Sequence, residues 1–141
     1  MTIHQISIFL ENKYGRLNEI LALIAQEDIR IVTATIADTS EFGILRIITT
    51  DPLKAHQVLK EHNISANLNE VFAIETEPVA GAFVHIVDSF TQAGISIEYM
   101  YCFSSKERGV LVLRVNNKEA ALNVIRRNNI VCISESKLVS M

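Results

Sequence analysis

The chain has 141 residues, of which 49% are hydrophobic and 21% are charged, and this composition excludes a disordered chain. Its length accommodates one ordinary domain or two very small ones and excludes a large multidomain enzyme. The net charge is −3 and the like charges form no block, so nothing indicates a surface for nucleic acid or anionic membrane.

The first residues of the chain predict a strand, a helix and two further strands. Residues 6–10 alternate between apolar and polar, as a strand does, and a turn containing Gly15 follows. Leu17 and the apolar residues three, four and seven positions later then indicate a helix with one buried stripe. Two strands with apolar residues at alternate positions, 29–33 and 45–49, follow on either side of a polar turn at 38–43.

A second helix and a short strand complete this half of the chain. Asp51 followed by Pro52 is a typical helix start, with a capping side chain before a proline in the first helical position. Asn63 stands where a left-handed residue would end that helix. A short strand is predicted from Ile64 onward.

The second half of the chain repeats this plan. A shift of 66 residues aligns the halves without a gap from residue 6 to residue 64, and both turn glycines, Gly15 with Gly81 and Gly43 with Gly109, fall in register. Asn117 and Asn129 then correspond to the predicted helix cap and helix end of the first half. We therefore predict two domains, at residues 1–68 and 69–141.

Each copy has the order β-α-β-β-α-β, which is the ferredoxin-like plan. The predicted fold class is α+β, with two such units whose antiparallel sheets are joined side by side and carry their helices on one face. The opposite face should then be partly exposed at Ile36, Ile48, Met100 and Val112. Because a unit this small with an uncovered face is marginally stable, we predict a homodimer.

The residues argue against three other functions of this plan. An RNA-binding module requires exposed aromatic residues on the third strand, where Arg46 and Val112 stand instead. A soft-metal carrier requires a Cys-x-x-Cys pair in the first loop, and the chain has none. An acylphosphatase-like enzyme would want an asparagine on the second strand; Arg16 lies near the right loop, but residues 29–37 and 95–103 contain no asparagine. We expect neither catalysis nor a metal or other cofactor.

The compartment follows from the cysteines and the N-terminus. Cys102 and Cys132 are the only cysteines, and the first residues do not resemble a secretory signal. No apolar run approaches the roughly 18 to 20 residues that a membrane span requires. We therefore expect a cytoplasmic protein.

The first turn and its surroundings resemble an ACT domain. The strand ends in Glu-Asn-x-x-Gly-x-Leu at residues 11–17, an amphipathic helix follows, and Asp-Ile-Arg-Ile at residues 28–31 opens the next strand. Residues 38–46, Asp-Thr-Ser-Glu-Phe-Gly-Ile-Leu-Arg, also resemble that family. The second copy departs from it, with Glu77-Pro78 in place of Glu-Asn. The two copies together are similar to the small stand-alone tandem ACT-domain proteins.

The resemblance implies a regulatory function without chemistry of its own. ACT domains are ligand-sensing modules that are attached to, or associate with, metabolic enzymes. In the members that bind amino acids, the ligand lies where the turn of one domain meets the start of the second strand of a neighbouring domain. The resemblance therefore implies a small amino acid bound at the seam between domains, with a metabolic enzyme as a possible partner.

The resemblance also implies which residues of this chain form the binding site. Asn12 would hydrogen-bond the ligand, although a helix cap is an alternative role for it. If the copies pair about a pseudo-twofold, the first turn faces Ser96 and the second faces Arg30, which either clamps a carboxylate or is a solvated residue at a strand end. The remaining implied ligand-binding positions are Lys13, Tyr14, Gly15, Arg16 and Leu17 in the first turn and Gly81 and Ala82 in the second.

Two alternative functions stay open on the sequence alone. The repeat could serve only for interaction or dimerisation with a metabolic enzyme, with no ligand of its own. A small enzyme of the same topology is the third and weakest interpretation.

Overall fold

A computed structural model describes residues 1–38, 41–106 and 108–141, with only the backbone of Asp38. Two residues of the sequence-predicted polar turn, Thr39 and Ser40, therefore lie outside the described residues. The chain divides into two compact units. One comprises His4–Asn69, and the other comprises Met1–Ile3 together with Glu70–Met141. Each unit has its own sheet, helices and core.

The unit His4–Asn69 has a sheet with the strand order β2-β3-β1-β4, the order typical of a ferredoxin-like unit. Its first strand is antiparallel to β3, as is β2. The N–H of Phe9 donates to the carbonyl of Ser65 at 3.0 Å, next to the start of β4. Its elements are β1 (Ile3–Glu11), α1 (Arg16–Gln26), β2 (Ile31–Asp38), β3 (Phe42–Thr49), α2 (Pro52–Glu61) and the beginning of β4 (Ala66–Thr76).

Both helices of this unit pack on one face of its sheet. The apolar stripe of α1 is buried at Ile20 and Ile24, and α2 buries Ala55, Val58 and Leu59. They enclose one core with alternate residues of the central strands, because successive strand residues point to opposite faces. The buried members of that core are Ile6, Ile8, Ile20, Ile24, Ile29, Leu45, Ile47, Ala55, Leu59 and Ile64.

The other unit repeats the arrangement around the second part of β4. In its sheet β6 lies between β4 and β5, and both pairs are antiparallel. On the far side of β4, Cys132 forms an isolated antiparallel bridge with Ile74 in place of the predicted last strand. The elements after β4 are α3 (Ala82–Gln92), β5 (Ile97–Ser105), β6 (Arg108–Val115), α4 (Lys118–Arg127) and α5 (Glu135–Val139).

This second unit has a separate core between its sheet and the helices α3 and α4. Phe90, at the position equivalent to Ile24, is 0% exposed. The short helix α5, which the sequence did not predict, buries Leu138 completely. The buried members of the core are Phe72, Ile74, Ile86, Phe90, Ile95, Leu111, Leu113, Ala121 and Val124. The predicted α+β class with two ferredoxin-like antiparallel units is confirmed.

The predicted helix boundaries are confirmed in both copies. The carboxylate of Asp51 accepts a hydrogen bond from the N–H of Lys54 at 3.2 Å, and the amide oxygen of Asn117 accepts one from Ala120 at 3.1 Å. Asn63 and Asn129 have φ values of 58° and 51°, as left-handed residues at helix ends do.

The predicted open sheet face is wrong in detail. Ile36 is the register partner of Leu45, so it lies on the helix side, and Met100 lies there too as the partner of Leu113. A bulge near the start of β2 and another near the start of β5 shift the alternation by one residue. Ile48 and Val112 do lie on the face away from the helices, but they are 1% and 0% exposed.

In the described ranges, none of the helices combines the length and the apolar character that a membrane crossing requires.

Candidate functional site

The turn between β1 and α1 depends on a left-handed glycine. Gly15 has φ 82° and stands immediately before the first helical residue. The N–H of Lys13 donates to the carbonyl of Glu11 at 2.8 Å, and the N–H of Arg16 donates to the carbonyl of Lys13 at 3.1 Å. A residue with a Cβ would be strained at this φ, so the sequence position of the glycine follows from the turn.

The turn between β4 and α3 has the same backbone. Gly81 has φ 83°, and the N–H of Val79 donates to the carbonyl of Glu77 at 2.8 Å. The N–H of Ala82 donates to the carbonyl of Val79 at 3.3 Å. The backbone is thus conserved between the copies, although Pro78 replaces Asn12.

Both turns lead into a helix whose start has no capping side chain. For α1 and α3, unlike α2, α4 and α5, no side chain of the described residues accepts a hydrogen bond from the first turn. Backbone N–H groups at Leu17 and Asn18, and at Phe83 and Val84, therefore remain without such a partner. The helix dipole adds partial positive charge at the same place, so each start favours an anion.

Asn12 does not cap α1. The structure gives the cap position to Gly15, which has no side chain, and the side chain of Asn12 is exposed. Its backbone N–H donates to the carbonyl of Glu41 at 3.4 Å, which ties the turn to the start of β3. The alternative role of this residue as a helix cap is thereby ruled out.

A cavity of about 220 Å³ adjoins the first turn. It lies between that turn and the adjoining ends of β2 and β3, and its polar groups come from Glu11, Asn12 and Lys13. Phe42, which lines it, packs against Phe9 with 4.8 Å between the ring centroids and an angle of 35° between the rings. The complete lining is Leu10, Glu11, Asn12, Lys13, Leu17, Ile36, Phe42 and Gly43.

The second turn adjoins a cavity of about 580 Å³. This cavity is larger than the first, and it is more apolar because Val79 stands in place of Lys13. Arg108 also lines this cavity, and its guanidinium group forms an ion pair with the carboxylate of Glu75. The complete lining is Thr76, Glu77, Pro78, Val79, Gly81, Ala82, Phe83, Val84, Cys102, Ser104, Arg108 and Gly109.

Three residues expected in the first site, Tyr14, Gly15 and Arg16, do not line its cavity. The side chain of Arg16 is directed along α1, where Nη1 lies 3.2 Å from Oε2 of Glu19. It lines a separate groove of about 260 Å³ that also includes His62. Tyr14 is fully exposed and does not line the cavity. In the turn itself Arg16 contributes only its backbone.

Arg30 and Ser96 lie at the opposite end of their own units. The backbone N–H of Arg30 donates to the Thr50 hydroxyl at 3.0 Å, and that of Ser96 donates to the Asn116 amide oxygen at 3.1 Å. Both lie beside the end of the third strand of their copy, whereas the turns lie beside its start. Eight strand residues separate the two ends, which is about 25 Å. Neither residue shares a site with the turn of its own unit.

The described ranges hold no cluster of three or more His, Cys, Asp or Glu side chains placed to bind a metal ion. Of the two free thiols, Cys102 is exposed on β5, and burial raises the pKa of Cys132. The sequence reasoning missed the far walls of both cavities, among them Phe42 and Arg108. In the sequence, only the polar turn between the second and third strands of each copy indicated these residues.

Comparison with known proteins adds to this geometry. Among solved structures, protein BT0572 from Bacteroides thetaiotaomicron is 35% identical with a TM-score of 0.94, and the match covers 100% of this chain and 98% of that chain. The regulatory subunit of aspartate kinase from Thermus thermophilus has the same fold at 14% identity and a TM-score of 0.61, covering 88% and 90%. A regulatory domain of aspartate kinase from Porphyromonas gingivalis W83, described as putative, is 13% identical with a TM-score of 0.54, covering 89% and 90%.

No curated protein sequence matches the chain. A family model described as an ACT domain pair matches residues 1–141. The strand order, the glycine turns and the unpartnered helix starts agree with that match. The chain therefore belongs to the ACT domain pair family.

Proposed function

We propose that this chain is a non-catalytic regulatory protein that binds a small amino acid at its first turn. The observation that carries the proposal is the uncapped start of α1 beside a cavity lined by Asn12. Membership of the ACT domain pair family supports a regulatory module.

The groups around the first cavity suit a zwitterion. The carboxylate of the ligand accepts hydrogen bonds from the free N–H groups of the first turn of α1, where the helix dipole favours negative charge. The carboxamide of Asn12 offers both a donor and an acceptor, and the carboxylate of Glu11 suits the ammonium group. A volume of about 220 Å³ is sufficient to hold a free amino acid.

The two copies at residues 1–68 and 69–141 need not bind alike. The second turn has Pro78 in place of the amide and a wider, apolar cavity, so it selects against the same ligand. Arg30 and Ser96 can join a turn only from another copy of the domain, because each lies about 25 Å from the turn of its own unit.

We further propose that a metabolic enzyme responds to the bound state. A ligand changes an equilibrium between two states only by its difference in affinity for them. The partner must therefore distinguish the occupied turn from the empty one.

A second candidate is an interaction module without a ligand. The observation that favours it is the exposed apolar surface near the second turn, where Val79 and Val84 are 58% and 71% exposed. Such surface commonly marks a protein contact.

Thermal unfolding in the presence of each standard amino acid tests the proposal. A ligand at 100 times its Kd stabilises the protein by about 2.7 kcal/mol, which raises the Tm measurably. We expect Asn12→Ala to abolish the shift and to keep the Tm of the free protein. Asn67→Ala, at an exposed residue of β4 that does not line the cavity, is the matched control and should retain the shift.

Two results would contradict the proposal. If no amino acid at several millimolar raises the Tm, the ligand-free interaction module is favoured. If Asn12→Ala binds as well as the unaltered protein, the cavity at the first turn is not the site.

A further inference from the structure

The guanidinium group of Arg16 has a donor that the described residues leave without a partner. Its Nη1 lies 3.2 Å from Oε2 of Glu19, and the side chain is 22% exposed. Its Nε is buried and has no hydrogen-bond partner among the described residues. A buried donor without a partner costs free energy, so the edge of the guanidinium that carries Nε requires an explanation.

Arg16 lines a groove of about 260 Å³ between α1 and the end of α2, within the unit His4–Asn69. The groove also contains the imidazole of His62 and the apolar side chains of Leu23 and Ile64. It shares no lining residue with the cavity at the first turn, so it is a separate site. The complete lining is Arg16, Glu19, Ala22, Leu23, Gln26, His62 and Ile64.

A hydrogen bond to the backbone determines which nitrogen of His62 is available in the groove. Nδ1 lies 2.9 Å from the carbonyl oxygen of Val58. Because a carbonyl only accepts, Nδ1 carries the hydrogen of this bond. Nε2 is therefore an acceptor in the neutral ring and a donor in the protonated ring.

The second copy shows which parts of these two side chains the fold requires. Arg16 and His62 correspond, 66 positions later, to Ala82 and Asn128. Ala82 begins α3 after the same glycine turn, and Nδ2 of Asn128 donates to the carbonyl of Val124 at 2.8 Å, which is the bond that Nδ1 of His62 makes in the first copy. Neither the turn nor the helix end therefore requires the guanidinium or the second ring nitrogen, so another requirement accounts for them.

We propose that this groove binds the phosphoryl group of a small phosphorylated metabolite. The edge of Arg16 with Nε and Nη2 presents two parallel donors, which match two oxygens of an oxyanion. A phosphoryl group keeps a third oxygen for Nε2 of His62, whereas a carboxylate has none left. The neutral ring accepts the hydrogen of a P–OH group and the protonated ring donates to a P–O⁻ group, so the contact forms in either state.

The charge and the size of the groove agree with this ligand. Glu19, the partner of Arg16, is 61% exposed, so its carboxylate can move into solvent when an anion takes its place. The volume is near the lower end of small-ligand sites, about 300 Å³. Ala22 and Leu23 supply an apolar wall for the remainder of the metabolite.

Titration with inorganic phosphate at constant ionic strength tests the site. We expect binding by isothermal titration calorimetry and a shift of the Arg16 Nε–H resonance in ¹H–¹⁵N spectra. Acetate, whose carboxylate lacks the third oxygen, should bind about tenfold more weakly. Absence of phosphate binding at tens of millimolar, an unchanged Nε–H resonance, or acetate binding of equal affinity would overturn the proposal.

Two variants introduce the residue types of the second copy, so both should keep the fold. Arg16→Ala should weaken phosphate binding about tenfold or more, and His62→Asn about threefold or more. Arg126→Ala, at an exposed arginine of α4 outside the groove, is the matched control and should leave the affinity unchanged. Unchanged binding in either groove variant, or an equal loss in Arg126→Ala, would contradict the assignment.

A further variant distinguishes an anion site from a structural ion pair. Glu19→Gln removes the carboxylate that competes for Arg16 and should tighten phosphate binding about threefold. If the ion pair served only to hold Arg16 in place, the same change would leave binding unchanged or weaken it.

A phosphate ester distinguishes a metabolite from free phosphate. Glycerol 3-phosphate should bind at least as tightly as inorganic phosphate, because the groove extends beyond the phosphoryl group along Ala22 and Leu23. Binding of inorganic phosphate alone would exclude a phosphorylated metabolite as the ligand. These results do not depend on amino-acid binding at the first turn, since the two sites have different linings.

Discussion

At the scale of single residues, the backbone positions with positive φ recur 66 residues apart. Gly15 and Gly81 form one such pair, and Asn63 and Asn129 form another. The third pair is mixed, because Asp28 with φ 58° corresponds to Gly94 with φ 72°. The first copy therefore accepts a strained residue where the second copy has the residue that avoids the strain.

We predict that exchanging these two residue types has opposite effects in the two copies. Asp28→Gly should raise the free energy of unfolding by about 0.5 kcal/mol, because relief of the left-handed strain exceeds the entropy cost of glycine. Gly94→Asp should lower it by about 0.5 to 1 kcal/mol. Urea unfolding monitored by circular dichroism measures both. Destabilisation by both changes would mean that the side chain of Asp28, not its backbone, matters.

At the scale of elements, the helices differ in how they begin. Asp51 and Asn117 cap α2 and α4 with side-chain hydrogen bonds, whereas α1 and α3 begin at a bare glycine. In each copy, therefore, the first helix has an uncapped start and the second helix has a capped start. Only the uncapped starts adjoin the turn cavities.

We predict that this difference is measurable by alanine substitution. Asp51→Ala and Asn117→Ala should each lower the free energy of unfolding by about 1 kcal/mol, since each removes an N-cap. Asn12→Ala should change it by less than about 0.5 kcal/mol, because this exposed residue caps no helix. Chemical denaturation of the three variants without ligand decides the point. A loss with Asn12→Ala equal to that of the cap variants would contradict the structural role described for it.

Local signals explain which elements could be predicted. Asp51-Pro52 and the turn glycines act within a few residues, so the sequence alone located the helix starts and the turns. The bulges in β2 and β5 depend on the partner strand, and the alternation pattern therefore predicted the wrong face for Ile36 and Met100. The last strand of the second copy shrinks to one bridge at Cys132, and α5 follows it without a periodic pattern long enough to detect.

For the candidate site, the sequence predicted the residues of the turn itself but not the residues that close the cavity from the other side. The motif around Asn12 and Gly15 identified the near wall of the first cavity. Phe42 and Arg108, on the far walls, lie about 30 residues later in their copies and reach the turns only through strand pairing. Sequence spacing carries no information on which side chain of a distant hairpin closes a cavity.

At the scale of the whole molecule, the described residues form two separate hydrophobic cores, one in each unit. Ile24 and Phe90 occupy equivalent positions in them, and both are 0% exposed. Each is a buried residue near the end of the first helix of its copy. Stability therefore depends on both cores.

We predict large losses from truncating either residue. Ile24→Ala should cost about 2 to 5 kcal/mol and Phe90→Ala about 3 to 5 kcal/mol, through lost burial and an unfilled cavity. Leu53→Ala, at a residue 62% exposed on α2, is the control and should stay within about 0.5 kcal/mol. Equilibrium denaturation measures all three. A near-neutral Phe90→Ala would show that the second unit is not packed as described.

The fusion of two copies in one polypeptide has a consequence for how the protein can evolve. In a symmetric assembly of identical single modules, every substitution appears at all equivalent places at once. Here the equivalent positions of the two turns differ, with Asn12 against Pro78 and Lys13 against Val79. One polypeptide can therefore carry different side chains at its two turns, without the compromise that symmetry would impose.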